Sequence, residues 1–225
     1  MKRSEINNAI KWAEKLLESR LITLPWFGKK APEYFSANPD KCKLLKSTML
    51  GWDVTDFGRG DFSKVGAVLF TLRNGNIKVE NEGTPYAEKY ILLKDGKNQE
   101  IPMHYHIMKT EDIINRGGGI LCVQLCNRNA DDTLDMNSPV DIYLDGVLTT
   151  VSPNEIIEIE PGNSITLTPY VYHRFFAKSG AGDLVVGEVS KVNDDTSDNI
   201  FADKSEYFRD IEEDEPKYKL LANEY

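Results

Sequence analysis

Glu100-Ile-Pro-Met-His-Tyr-His-Ile-Met-Lys-Thr-Glu111 is the stretch on which the fold turns. On a β-strand, residues two apart point to the same face, so His104 and His106 aim both imidazoles at one point. Glu111 adds an anionic oxygen just past the strand. The chain has three histidines. The third, His173, stands alone beyond a strand-rich interval, in Pro169-Tyr-Val-Tyr-His-Arg-Phe-Phe176, and in a barrel it can close the site from another strand. Histidine nitrogen plus carboxylate suits a borderline divalent transition metal. His104, His106, Glu111 and His173 are therefore the candidate metal ligands.

Strand patterns surround this stretch. Val65-Gly-Ala-Val-Leu-Phe-Thr-Leu-Arg73 meets Asn74-Gly75, a two-residue hairpin signal, with Ile77-Lys-Val-Glu80 as the returning strand. Tyr90-Ile-Leu-Leu-Lys94 leads through Asp95-Gly96 to the histidine strand. Further strands are expected over residues 120–126, 140–144, 147–151, 155–159, 164–168, 172–177 and 184–189, with Asp145-Gly146 as another tight turn. Many short strands with Gly and Pro punctuation predict a mainly β protein, a double-sheet jelly roll or barrel.

Outside the strand region, residues 4–19 show helical spacing of Ile6, Ile10, Ala13 and Leu17, with Ser4 as N-cap. That apolar stripe would pack on a sheet or on a second subunit. The chain divides into a helical and irregular N-terminal extension (1–60), a barrel (61–192) and an acidic C-terminal segment (193–225). Trp26, Phe27, Tyr34, Phe35, Trp52 and Phe57 make the extension an ordered wrap. In the last segment, Glu212-Glu-Asp-Glu215 reads as a solvated charge run. Phe201, Tyr207, Phe208 and Ile211 are spaced like anchors that fold part of the tail back on the barrel.

The composition sets bounds. A chain of 225 residues suits one domain with extensions, and 40% hydrophobic residues suffice for a packed core. No apolar run approaches the roughly 20 residues that span a bilayer. Met-Lys-Arg-Ser-Glu-Ile-Asn-Asn has no apolar stretch behind its basic residues, so no signal peptide is expected. A cytoplasmic protein without membrane contact follows. The net charge of −9 argues against nucleic-acid binding, which needs clustered Lys and Arg. Cys42, Cys122 and Cys126, odd in number and without a CxxC, read as buried free thiols rather than a disulfide framework.

Three histidines and one glutamate give four ligands and one negative charge. A divalent ion there leaves a net positive centre that attracts and polarises oxygen donors. An octahedral ion keeps two positions for water or substrate, whereas a closed structural zinc site keeps none. Spacing leaves manganese, iron, cobalt, nickel and zinc all open.

The motif resembles the first cupin signature: histidine, any residue, histidine, then glutamate and a later glycine, here Gly118. Gly96 lies two residues further from His104 than that signature places it. The second cupin signature is met by Gly162 and His173, while Pro169 comes one residue late, Tyr170 stands where a glycine is common, and Ala177 replaces an asparagine. A closer resemblance is carried by Tyr90-Ile-Leu-Leu-Lys-Asp-Gly-Lys-Asn-Gln-Glu-Ile-Pro-Met-His-Tyr-His-Ile-Met-Lys-Thr-Glu-Asp-Ile-Ile-Asn-Arg-Gly-Gly-Gly119. Thr168-Pro-Tyr-Val-Tyr-His-Arg-Phe175 and Ile211-Glu-Glu-Asp-Glu-Pro216 add to it. These segments resemble the D-lyxose isomerases, which are cupin sugar isomerases. The resemblance implies a cupin double-stranded β-helix (jelly-roll barrel) with an N-terminal helical extension. It implies a Mn2+-dependent aldose–ketose isomerase, with Co2+, Zn2+ or Fe2+ as other ions the site can take. The sugars would be D-lyxose and D-xylulose, with D-mannose and D-fructose as a second pair. His104, His106, Glu111 and His173 would be the ligands and the assembly a homodimer.

Aldose–ketose exchange moves one proton between adjacent carbons and another between their oxygens, through a cis-enediol. A metal chelating both oxygens polarises the carbonyl, and a nearby base carries the carbon-bound proton. Lys109, between His106 and Glu111, is a candidate for catalysis and for holding a sugar hydroxyl, although strict alternation points it away from the histidines unless the strand end bulges. Glu206 is the candidate carboxylate brought in by the tail, for catalysis and substrate binding. Lys94 is a further candidate for holding sugar hydroxyls. Tyr105 and Met108 read as packing, Gly117-Gly118-Gly119 as a tight turn, and Trp26, Trp52 and Phe175 as core residues that could alternatively line a sugar pocket. Two other functions fit the ligands: an iron-dependent cupin dioxygenase and a non-catalytic sugar-binding cupin.

Overall fold

The computed structural model describes residues 1–95, 99–192, 195–203 and 210–225, without the side chains of residues 195 and 196. Gly96, Glu206, Tyr207 and Phe208 lie outside them. Four helices come first: α1 (Arg3–Ser19), α2 (Trp26–Lys29), α3 (Pro32–Ser36) and α4 (Pro39–Ser47). Strands follow as β1 (Gly51–Thr55), β2 (Ala67–Gly75), β3 (Gly83–Leu93), β4 (Glu100–His106), β5 (Glu111–Gly117), β6 (Leu121–Arg128) and β7 (Leu134–Asp135). The chain continues through β8 (Val140–Leu144), β9 (Val147–Val151), β10 (Ile157–Ile159), β11 (Ser164–Leu167), β12 (Val171–Ala177), β13 (Leu184–Lys191), α5 (Asp195–Asp198) and β14 (Asn199–Phe201).

The strands form two antiparallel sheets. One runs β1-β2-β3-β13-β5-β11-β8-β9 and the other β10-β6-β12-β4-β14, with β7 beside β6. One buried cluster joins Ile91, Leu93, Ile113, Ile165 and Val186 of the first sheet to Ile101, Val123, Leu125 and Phe175 of the second. Each such aliphatic side chain contributes on the order of 1.5–3 kcal/mol by leaving water. This is the mainly β, cupin-type jelly roll expected, with its helical N-terminal extension.

Alternation within strands shows how the extension is held. Ile91 and Leu93 face the barrel interior, while Leu92 between them joins a second core with Val68, Phe70, Val185 and Trp52. Strands covered on both faces read as near-continuous apolar runs, as Tyr90-Ile-Leu-Leu and Leu184-Val-Val do. The second cover is α1, whose Ile6, Ile10, Ala13 and Leu17 are all buried in that core. The apolar stripe of α1 is thus used within the chain. Residues 1–60 also supply β1, an edge strand paired with β2 from Gly51↔Thr71 to Thr55↔Ala67.

Several local expectations are corrected. Asn74-Gly75 does not close a two-residue hairpin: β2 and β3 meet at Gly75↔Gly83, and residues 76–82 form the connection. Asn76 Oδ1 accepts the Lys78 N–H, an Asx turn that moves the reversal downstream. Ile77 and Val79, expected in a strand, are exposed there. Ser4 is not the N-cap of α1. Lys2 holds that position with its N–H donating to Glu5, and Ser4 donates instead to Asp214.

The run Glu212–Glu215 is not simply solvated. Glu213 and Glu224 pair with the fully buried Arg3 guanidinium, Asp214 accepts the Ser4 N–H, and Glu215 accepts from Asn7. Carboxylates collect there because a helix N-terminus presents unpaired N–H groups and a positive dipole end. The tail does fold back: Leu221 and Ala222 are buried, and the Ala222 N–H donates to the Trp52 carbonyl.

Candidate metal centre and its charged wall

The histidine strand is not regular. Phe175 pairs with Ile101, but His173 pairs with His104, so β4 carries one extra residue at Pro102–Met103. Such a bulge re-aims side chains, and here it lets Ile101, His104 and His106 all face inward. Proline, which has no N–H to give the ladder, suits that position. His104 and His173 are cross-strand neighbours with ring centroids 4.2 Å apart, and His106 lies 5.0 and 5.2 Å from the two. One nitrogen from each of the three comes within 4.8 Å of the others, and all three side chains are buried.

Glu111 opens β5, paired with Leu167 of β11 and Ser190 of β13. Its Oε1 lies 3.2 Å from His173 Nε2 and 3.5 Å from His106 Nε2. The four expected ligands are thus brought together. His104 Nδ1 is 2.7 Å from the Pro102 carbonyl and His173 Nδ1 is 3.0 Å from the Val171 carbonyl. Each Nδ1 therefore carries the proton, which leaves Nε2 a bare lone pair. His106 Nε2, His173 Nε2 and Glu111 Oε1 are buried without a hydrogen-bond partner. Buried polar atoms left so are costly, and a divalent cation satisfies all of them at once. The donor set fits such an ion.

The electrostatics agree. Burial, then repulsion from His173 and His106, holds His104 well below the ordinary imidazole range. Burial and the Lys109 ammonium lower His106. Burial opposes ionisation of Glu111, but Lys109 and His106 more than offset it and hold the carboxyl well below its ordinary value. Neutral imidazoles beside an ionised carboxylate are the protonation states a metal needs.

Lys109 belongs to this site. β4 ends at His106, the chain turns at the exposed Ile107 and Met108, and the Lys109 side chain re-enters fully buried. Its Nζ is 2.6 Å from Glu111 Oε2 and 3.0 Å from Glu188 Oε1, and Lys89 Nζ is 3.6 Å from Glu188 Oε1. Four buried charges of alternating sign, Lys89, Glu188, Lys109 and Glu111, thus form a wall ending at the histidine cluster. Ser190 Oγ also donates to Glu188. Together with Phe57, Leu69, Ile91, Ile101, Phe175, Asn199 and Phe201, these groups and the β4 histidines line a cavity of about 30 Å³.

Lys94 is not brought to this cavity. It follows β3, exposed, with its ammonium 5.1 Å from the Trp12 ring centre. Glu206 lies outside the described residues. Trp52 packs in the extension core and Trp26 is partly exposed, while Phe175 does line the cavity. Tyr105 packs on the opposite face with Cys126 and Tyr172. Gly118 has φ +109°, and a Cβ there would collide with the Asp183 carbonyl, so the glycine run is a steric requirement. Tyr170, in place of the usual glycine, has φ +66° and retains the left-handed turn.

Lys89 and Glu188 were missed by sequence reasoning, although a signal for each exists. Glu188 shares parity with the inward Leu184 and Val186, and Lys89 with Ile91 and Leu93. An acid and a base on core-facing positions are expensive unless paired.

Structures with the same fold include an L-ribose isomerase mutant of Acinetobacter sp. DL28 in complex with L-ribose. It shares 13% identity with TM-score 0.59, covering 91% of this chain and 94% of that one. The unliganded L-ribose isomerase of Cellulomonas parahominis shares 15% with TM-score 0.54, over 91% and 94%. Closer in sequence are the D-lyxose/D-mannose isomerases of Escherichia coli O157:H7 and Serratia proteamaculans. Each is 40% identical over 226 aligned positions, spanning 100% of this chain and 98% of the relative. The family model described as D-lyxose isomerase matches residues 1–225. With that match over its whole length and relatives at 40% identity, the chain belongs to the D-lyxose isomerase family.

Proposed function

We propose that this sugar isomerase interconverts D-lyxose and D-xylulose, and D-mannose and D-fructose, with a divalent ion held by His104, His106, Glu111 and His173. The observation that carries this reading is the convergence of unpartnered Nε2 and carboxylate atoms on one buried point beside the Lys109 ammonium. Membership of an isomerase family sets aside the dioxygenase and the non-catalytic binding module. Mn2+ is the working ion in this proposal, and the protein acts as a cytoplasmic homodimer; sedimentation of the purified chain tests the dimer.

When bound, the ion would supply Lewis-acid polarisation of the substrate's carbonyl and adjacent hydroxyl oxygens. The rest falls to the chain. Lys109 Nζ, fixed between Glu111 and Glu188, is placed to hold a sugar hydroxyl or to pass a proton to the oxygen developing negative charge. Glu188 fixes Lys109 and Lys89 rather than reacting. Lys89, reaching the cavity from β3, takes the hydroxyl-holding role that sequence reasoning gave to Lys94. We assign the carbon-to-carbon proton shuttle to Glu206. Phe57, Phe201 and Phe175 form apolar walls that keep bulk water from the enediol. The cavity, about 30 Å³, accommodates one or two water-sized groups. It is far below the ~300 Å³ at the lower end of small-molecule sites. Phe57 and Phe201, with ring centres 5.7 Å apart, lie on its wall.

The test is anaerobic turnover. Chelator-stripped protein reloaded with Mn2+ is expected to form D-xylulose from D-lyxose, with none formed before reloading. No ketose from any pentose or hexose offered overturns the substrate class, and full activity in stripped protein overturns the metal.

A further inference from the structure

Two of the three histidines have Nδ1 held by a main-chain carbonyl, at 2.7 Å for His104 and 3.0 Å for His173. His106 has no such partner: both of its ring nitrogens are buried without a hydrogen bond. The group nearest its Nδ1 among the described ion pairs is the carboxylate of Asp198, whose Oδ2 is 3.9 Å away. Asp198 ends α5, just before β14, and Asn199 pairs with His106 across the β14–β4 ladder. Its side chain is wholly buried. Oδ1 accepts the N–H groups of Ile107 at 3.0 Å and Met108 at 2.8 Å, which fixes the carboxylate against the turn after His106. Oδ2 has no hydrogen-bond partner at all. A buried carboxylate oxygen and a buried imidazole nitrogen, each otherwise unsatisfied, thus face each other across a gap that a small rotation of either side chain closes.

We propose that Asp198 is the positioning residue for His106: its Oδ2 accepts the Nδ1 proton, fixes the tautomer with a bare Nε2, and sets the ring toward the metal position. This rests on the metal reading of the site. Metal-bound histidines generally give their second N–H to a carboxylate or carbonyl, which orients the ring and raises its basicity. The tail strand is thereby part of the site, delivering through Asp198 to His106 what main-chain carbonyls deliver to His104 and His173.

Asp198→Asn separates this role from a structural one. The Asn oxygen can still accept from Ile107 and Met108, so the turn is kept. Its NH2 then faces His106 Nδ1 as a donor, which moves the imidazole proton to Nε2, where it blocks coordination. Mn2+ binding to chelator-stripped protein, read from the free-ion electron paramagnetic resonance signal, is expected to weaken about 10–100-fold in Asp198→Asn. Melting of the metal-free variant should be unchanged. Asp198→Ala loses the turn as well and is expected to melt lower. Nitrogen-15 spectra of the imidazoles give a metal-independent readout, simplified by a chain with only three histidines. His106 is expected protonated at Nδ1 in the parent and at Nε2 in Asp198→Asn. Equal Mn2+ affinity, or an unchanged His106 tautomer, overturns the proposal. A parent that binds no Mn2+ overturns the metal reading instead, and the imidazole spectra still decide whether Asp198 sets the tautomer.

Discussion

Glu188→Gln tests the charged wall most directly. Glu188 Oε1 lies 3.0 Å from Lys109 Nζ and 3.6 Å from Lys89 Nζ, with all three side chains almost fully buried. At an effective dielectric of about 20, each contact amounts to roughly 4–6 kcal/mol of Coulomb attraction, most of it cancelled by the desolvation of both partners. What a mutation measures is the imbalance. Breaking one side of a buried pair costs roughly 3–5 kcal/mol. Lys109 keeps Glu111 at 2.6 Å, so the low end applies, about 3 kcal/mol. For a chain of this size that lowers the melting temperature by roughly 6–12 °C. The decisive comparison adds Lys89→Met, which removes one positive charge while keeping most of the side chain's length. The double variant is expected to recover at least half of the loss, giving a coupling of about 1.5 kcal/mol or more in a double-mutant cycle measured by urea unfolding of metal-free protein. Additive effects within about 0.5 kcal/mol would mean the two groups do not sense each other, and the electrostatic account of the wall would be refuted.

Three further outcomes are expected. Arg3→Met leaves Glu213 and Glu224 without the guanidinium that holds them. With Glu213 about half exposed and Glu224 still paired to Lys217 at 2.9 Å, it should cost on the order of 1–2 kcal/mol, read as a fall in the urea midpoint with the slope unchanged; an unchanged midpoint would sever the tail–α1 clamp from stability. Acidification should destabilise the metal-free protein. His104 and His106 are held below the ordinary value of 6.5 in the folded chain, so the unfolded chain binds more protons. The stability present above about pH 6.5 is lost as pH falls toward the folded values, at roughly 1.4 kcal/mol per pH unit for each residue; an unfolding midpoint that is flat or rises over that window would contradict the assigned neutral state. Lys109→Met should lower kcat about 10²–10⁴-fold while Mn2+ is still bound. Loss of the metal together with the activity would make Lys109 a support for Glu111 rather than a proton-transfer group.

Much of the fold could be read from the chain because each strand's pattern is dictated by what covers it. β8 alternates buried with exposed since one face meets solvent, and β8 and β9 both occur at the expected residues. β3 and β13 are apolar in runs since α1 and its neighbours cover the second face. The failures are local competitions. Asn74-Gly75 lost to the Asx turn at Asn76, and β5 is hard to read because Glu111-Asp-Ile-Ile-Asn-Arg-Gly117 puts a buried carboxylate and a structural asparagine on its inward face beside a single aliphatic, Ile113. Asn115 there bonds the Gly119 and Ile159 carbonyls, a role that leaves no hydrophobic trace. β1 was hidden in a segment of turns, and its partner strand had already been given to a hairpin.

For the site, legibility stops where alternation stops. His104 and His106 can be read because two residues on one strand share a face, His173 because the chain is so poor in histidine, and Glu111 from its place just past that strand. Glu188 and Lys89 obey the same period-2 rule, and their parity with core residues marks them as inward. What the rule cannot supply is the direction of Lys109 or Asp198. Lys109 points inward only because the strand ends at His106 and the two exposed residues after it reverse the chain. Asp198 reaches His106 only because β14 docks beside β4, a pairing between segments more than 90 residues apart in sequence. The same docking brings Asn199 and Phe201 to the cavity. Only the His104–His106 pair is therefore set by local strand geometry, while His173 on β12, Glu111 on β5 and Asp198 before β14 meet it once the barrel and tail have folded. Substitutions in β14 should accordingly weaken metal binding without unfolding the barrel, whereas substitutions in the core beneath β4 should lose both together.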